Sequence, residues 1–151
     1  MTSYRLSPPS TEAEWNTYHS IRREVLWEAR GLGDLYQADH PDEHVPGNHP
    51  MLLFADERAV GVLRVDLKPV TKEAVFRRVA IRADEQRKGH GTALMCLAED
   101  FAVENECTVF VANVASDAMA FYFKLGYRLD TESSENDPRN PRMIKERPGN
   151  G

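Results

Sequence analysis

Cysteine is scarce in this chain, with Cys96 and Cys107 the whole complement. Two thiols cannot build a disulfide framework, and their separation lacks any metal-ligand spacing. Both are expected to be buried and unbridged. No apolar run approaches the roughly 20 residues needed to span a bilayer, and no basic-plus-apolar leader opens the sequence. A soluble, cytoplasmic protein without a membrane partner is therefore expected. Basic residues are in deficit, 19 Lys and Arg against 24 Asp and Glu, for a net charge of −5. That balance argues against nucleic acid, because a phosphate backbone rewards a basic face. Repeats and interdomain linkers are absent as well. The polar, Pro-containing stretches near 37–50 and 131–141 read as loops, so residues 1–151 are expected to form a single domain.

What is present is a legible succession of elements. Tyr4 to Leu6 reads as a short strand. Thr11 followed by Glu14 is a capping box, and Trp15, Tyr18, Ile21, Val25 and Trp27 follow at near-helical spacing, predicting a helix from Glu12 to Arg30 that stops at Gly31. Met51–Ala55 and Val60–Leu67 are apolar, β-branched runs around the turn Asp56-Glu57-Arg58, a hairpin signal. Val75–Ile81 predicts a third strand. Leu94, Leu97, Ala98 and Phe101 give an amphipathic helix over Gly91–Asn105. Thr108–Val114 reads as a buried strand. A helix over Asp117–Leu125 ends at Gly126, before strands at Tyr127–Asp130 and Met143–Lys145. The order predicts an α/β domain with a mixed sheet.

The segment from Val79-Ala80-Ile81 through Gln86-Arg87-Lys88-Gly89-His90-Gly91-Thr92 carries the chemistry. It runs from a strand through a glycine-bearing loop into a helix. Exposed N–H groups at a helix N-terminus, with the positive end of its dipole, bind anions, and glycine lets the backbone approach closely. Arg82, Arg87, Lys88 and His90 form a basic island suited to a small polyphosphate. A tight turn that simply needs glycine is the alternative on this segment alone. The loop lacks both G-x-G-x-x-G and G-x-x-x-x-G-K-[ST], so neither a Rossmann fingerprint nor a P-loop competes.

Q-x-x-G-x-G after a strand ending Val-Ala-Ile resembles the acetyl-CoA motif of the GNAT N-acetyltransferase superfamily. Ala118-Met119-Ala120-Phe121-Tyr122-Phe123-Lys124-Leu125-Gly126-Tyr127 is similar to that family's second signature, A-x-x-F-Y-x-x-L-G-F/Y. The resemblance covers roughly residues 51 to 130 well. It implies a GNAT-like, mixed but mostly antiparallel central sheet flanked by helices. It further implies acetyl-CoA as co-substrate and transfer to a primary amine of a small molecule, amino acid or peptide in a ternary complex. A non-catalytic acyl-CoA-binding or sensing module is the alternative, and a homodimer is left open. By the resemblance, the backbone of Val79, Ala80 and Ile81 holds the pantetheine arm. Gln86, Arg87, Lys88, Gly89, His90, Gly91 and Thr92 form the pyrophosphate cradle, with His90 a neutral loop side chain and not a catalyst. Asn113, Phe121 and Lys124 fall on the cofactor's side. Tyr122 matches the general acid of many members, with an aromatic core role as its alternative.

The general base is not identifiable. The strand glutamate of the histone-acetylating branch is matched here by Val75. Glu73 is expected to be solvated at a turn. Arg77, assigned the strand parity of Val75, Val79 and Ile81, meets either an anionic substrate group or a surface carboxylate. Asn113 either orients water or substrate or ends its strand. The stretch Asp39 to His49 has metal-ligating residue types without a fixed ligand spacing, so no metal is expected. It is expected to shape the acceptor pocket, its acidic excess favouring a cationic amine.

Overall fold

The computed structural model describes residues 2–27, 45–131 and 141–147. Strands β1 (Tyr4–Ser7), β2 (Asn48–Ala55), β3 (Arg58–Lys68), β4 (Glu73–Ile81), β5 (Val109–Asn113), β6 (Arg128–Leu129) and β7 (Arg142–Glu146) form one sheet in the order β1-β2-β3-β4-β5-β7-β6. Only the β4–β5 pair is parallel. Helix α1 (Glu12–Arg22) packs on one face, and α2 (His90–Glu104) and α3 (Met119–Lys124) on the other.

Each face has its own apolar layer. Leu94, Met95, Ala98 and Ala102 recur at helical spacing on α2 and bury their stripe against Met51, Leu53, Leu63, Val65 and Phe76. Tyr18 and Ile21 of α1 cover Leu52, Phe54, Val62 and Ala80 from the other side. Alternate residues of β2 and β3 thus serve opposite layers, as the two-residue strand period requires.

The capping box forms in part as read. The Thr11 hydroxyl accepts the Glu14 N–H at 3.1 Å, but the Glu14 carboxylate accepts from the Ser10 N–H at 2.9 Å instead of reaching the Thr11 backbone. The first helix differs more: α-geometry ends at Arg22, and Arg23–Trp27 continue as a π-helix. Its expected end, from Glu28 to Gly31, lies outside the described residues. Glu73 is the first residue of β4, not a solvated turn residue, and receives Arg142 Nη2 at 2.7 Å. Cys107 is buried, but Cys96 is exposed, because it falls off the apolar stripe of α2.

One irregularity interrupts the β3–β4 ladder. Between the pairs Val62↔Ala80 and Arg64↔Arg77, β3 advances from 62 to 64 while β4 advances from 77 to 80. The additional residue is a β-bulge, and Arg78 there takes φ +57°. A non-glycine residue in that region costs about 1–2 kcal/mol, a strain that clusters at functional sites. The bulge splits the expected parity: Arg77 shares its face with Val75 and Asp66, whereas Val79 and Ile81 pack on the α2 side.

Candidate active site

The bulge sits where the sheet opens. The parallel β4–β5 ladder runs from Glu73↔Val109 to Phe76↔Ala112 and stops. Beyond it β4 continues through Arg77–Ile81 beside β3, while Asn113 of β5 pairs with Arg142 of β7. A wedge therefore separates the two strands, with the backbone of Val79, Ala80 and Ile81 along one wall. An extended chain could pair there as it would with a sheet edge.

Above the wedge lies the loop into α2. Gln86 does not extend its amide toward solvent ligands; Nε2 donates to the Ile81 carbonyl at 3.1 Å and ties the loop to the end of β4. Arg87 has φ +66° and Gly89 φ +86°, both left-handed, so the chain turns sharply into the helix. Gly89 is the N-cap residue; no side chain caps this end, and the first turn carries no acid. A Cβ on Gly89 would meet nothing within 4 Å. The first-turn N–H groups have no side-chain cap, with the dipole's positive end behind them. Arg87, Lys88 and Thr92 are exposed around this end. Gly91 works differently. A Cβ there would come within 3.2 Å of the Phe121 ring, so this glycine lets α3 close on α2.

Tyr122 lies in the core layer, 6% exposed, with its ring edge-on to Phe121 at 5.3 Å and Tyr127 at 5.4 Å. Burial pushes its phenol up to about 12. It therefore holds its proton throughout the neutral range. Lys124 and Asn113 are exposed, Phe121 partly buried.

His90 departs most from expectation. It is a buried helix residue, not a loop side chain: Nδ1 lies 2.9 Å from the Tyr4 hydroxyl, and Nε2 lies 3.0 Å from Glu85 Oε2. Glu85 also receives Arg58 Nη1 at 2.8 Å and Lys88 Nζ at 3.2 Å. The hydrogen bond from His90, followed by that from Lys88, holds its carboxyl below the usual range. Asp84 is likewise held low, chiefly by Arg58, with Arg82 assisting. The basic island is thus largely partnered by its own acidic neighbours. Arg77 resolves toward a carboxylate, donating from Nε to Asp66 Oδ2 at 2.8 Å.

The sequence model described as the acetyltransferase (GNAT) family matches residues 6–127. The chain belongs to the GNAT family. Among solved structures, Escherichia coli ElaA is 16% identical, with a TM-score of 0.77 over 96% of this chain and 99% of that chain. Spermidine N-acetyltransferase from Vibrio cholerae, in complex with CoA and spermine, is 15% identical, with a TM-score of 0.73 and 95% of both chains covered. PaiA N-acetyltransferase from Thermoplasma acidophilum, in complex with coenzyme A, is 15% identical, with a TM-score of 0.71 over 96% of this chain and 99% of that one. At these identities the likeness is one of fold.

In this GNAT domain the strand position matched to a base is filled by Val75, 1% exposed and apolar. Sequence reading missed Glu85, the hub of the loop's ion pairs, and the partners of Arg77 on β3, Asp66 and Arg64. Asp66 lies two positions from Arg64, a spacing that puts both on one strand face, so that signal was available. Tyr4 reaches His90 across 86 positions, and nothing local announces it. Most of the acidic stretch from Asp39 lies outside the described residues.

Proposed function

We propose that this protein transfers an acetyl group from acetyl-CoA to a primary amine, directly, within a ternary complex. The observation that carries the reading is the wedge between β4 and β5 lying under an α2 N-terminus that has neither cap nor first-turn acid. Val79, Ala80 and Ile81 would hold the pantetheine arm through their backbone. Residues 86–92 would hold the pyrophosphate, each hydrogen bond to a charged acceptor contributing on the order of 1.5–3 kcal/mol. Family membership and the CoA bound in the Vibrio and Thermoplasma proteins support the same donor. Asn113, Phe121 and Lys124 would flank it, and residues 1–151 would act as one domain.

The chemistry asks three things of the chain. A backbone N–H of the bulged strand near Val79 would stabilise the charge that develops on the carbonyl oxygen. The Tyr122 hydroxyl would give its proton to the departing sulfur as the C–S bond breaks and the C–N bond forms, and its phenolate would regain a proton from solvent, which takes up the one the amine loses. A phenol near 12 is a weak donor to a thiolate whose acid has an ordinary value near roughly 8.5, but desolvation raises the thiol as well and narrows that gap. The amine must arrive neutral and pass its second proton to solvent. At pH 7 only about one part in 10³ of a free alkyl amine is neutral, so desolvation in the wedge substitutes for a base.

A second reading has one observation in its favour. Among the described residues of β3 and β4, the carboxylates Asp66 and Glu73 are both held by arginines, which suits a non-catalytic acyl-CoA-binding module. Two measurements separate the readings. Acetyl-CoA should raise the melting temperature under both, since a ligand of the native state stabilises it by mass action. Only the transferase releases free thiol when amines are supplied. Binding without thiol release across a broad amine library would favour the module; no thermal shift at millimolar acetyl-CoA would remove both.

A further inference from the structure

We infer that Arg77 is the recognition residue for a carboxylate on the acceptor, so that the amine substrates are amino acids or similar amino-carboxylates; this rests on the transferase reading above. Arg77 is the first residue of β4 past the end of the β4–β5 ladder, immediately before the bulged Arg78. Its place at the throat of the wedge is fixed by the strand, not by a loop. Its face is also settled. Arg77 pairs with Arg64 and touches Asp66, and both alternate on β3 with Val62, which packs in the layer under α1. α2, whose N-terminus would hold the donor, lies on the opposite face. A thioester entering the wedge from the α2 side is met by an amine from the α1 side, where Arg77 stands.

The side chain is braced for this role. Asp66 is buried and doubly bonded by Arg64, Nε to Oδ1 at 2.7 Å and Nη2 to Oδ2 at 2.9 Å. The same Oδ2 accepts Arg77 Nε at 2.8 Å. Only one edge of the Arg77 guanidinium is used. Among the described residues no protein acceptor takes its two terminal nitrogens, and the side chain is 38% exposed, so these donors are left to solvent or a ligand. Asp66 acts as a positioning residue, fixing the plane of a fork whose open edge suits a carboxylate. A polyamine would place its charge against this guanidinium and be disfavoured.

The test measures thiol release from acetyl-CoA with matched acceptors: free amino acids, their carboxamides, and spermidine as a polycation without a carboxylate. For the parent, kcat/KM should favour a free amino acid over its carboxamide by roughly 10- to 100-fold, the worth of a charge-assisted contact. In Arg77→Met the ratio should fall toward one, chiefly through KM for the amino acid, and Arg77→Lys should restore part of it. A merely structural ion pair with Asp66 would alter melting without altering that ratio. Carboxamides or spermidine used as well as amino acids by the parent, or a ratio indifferent to Arg77→Met, would overturn the inference while leaving the transferase standing. If no member of the panel is acetylated, the inference falls, and the broad amine library decides whether the transferase reading falls with it.

Discussion

The N-termini of α1 and α2 make an instructive pair. α1 is finished from within: Thr11 caps it from an extended backbone, Glu12 and Glu14 place negative charge in the first turn, and Ser10 closes the arrangement. α2 begins on a left-handed glycine with no side-chain cap and no first-turn acid. The nearest carboxylate, Glu85, is turned aside and occupied by His90, Lys88 and Arg58. A protein selected only for stability would treat both ends alike, since a cap contributes about 1 kcal/mol. The difference is what the proposed cofactor site at the open end of α2 requires.

The largest expected effect asks what that open end is for. Tyr122→Phe keeps the ring and its packing against Phe121 and Tyr127, so folding and acetyl-CoA affinity should hold. Loss of the proton donor should lower turnover by roughly 10²–10⁴-fold. Steady-state thiol release beside a thermal-shift titration checks this; an equal loss of cofactor affinity would mark the hydroxyl as a binding group.

A smaller effect probes the ion pairs that keep the α2 end clear. Glu85 has a depressed carboxyl, so its contribution to stability is present above the ordinary value near roughly 4.3 and is lost as pH falls through the lowered one. Glu85→Gln should therefore melt below the parent at neutral pH, with the difference shrinking on acidification below about pH 4. Thermal melts at several pH values measure it, and a constant gap down to the acid limit would deny the ion pairs a role. The smallest effect belongs to α1. Thr11→Ala should cost about 1 kcal/mol of unfolding free energy and leave acetyl-CoA affinity intact, because that end serves only the helix. Denaturant unfolding and the thermal shift with acetyl-CoA read the two quantities separately.

Much of this was legible because it is local. The hairpin turn, the α2 stripe, the Thr11 cap and the two signatures are written within short windows of sequence. The bulge was not, since Arg78 carries no mark of a positive φ, and missing it assigned Val79 and Ile81 to the wrong face. His90 reads locally as a loop residue because its partners, Tyr4 and the Glu85 hub, come from a β1 strand remote in sequence and from ion pairs converging on one carboxylate. Gly91 was singled out for a phosphate's approach, but its tightest neighbour is the Phe121 ring, a packing fact that only the meeting of α2 and α3 creates. Cys96 could have been placed: a helical projection puts it away from Leu94 and Ala98.

The most direct test of the central claim is to give α2 the negative charge that α1 already has. Gly89→Asp sets a carboxylate at the open end, at a position where a side chain meets nothing and where Asp tolerates φ +86° better than most residues. The free protein should lose no more than the roughly 1–2 kcal/mol of a side chain held at φ +86°, whereas its melting-temperature rise with acetyl-CoA should disappear, because the new charge occupies and repels the pyrophosphate position. A thermal shift with acetyl-CoA equal to the parent's would show that the α2 N-terminus does not hold the cofactor, and the account of this site would be wrong.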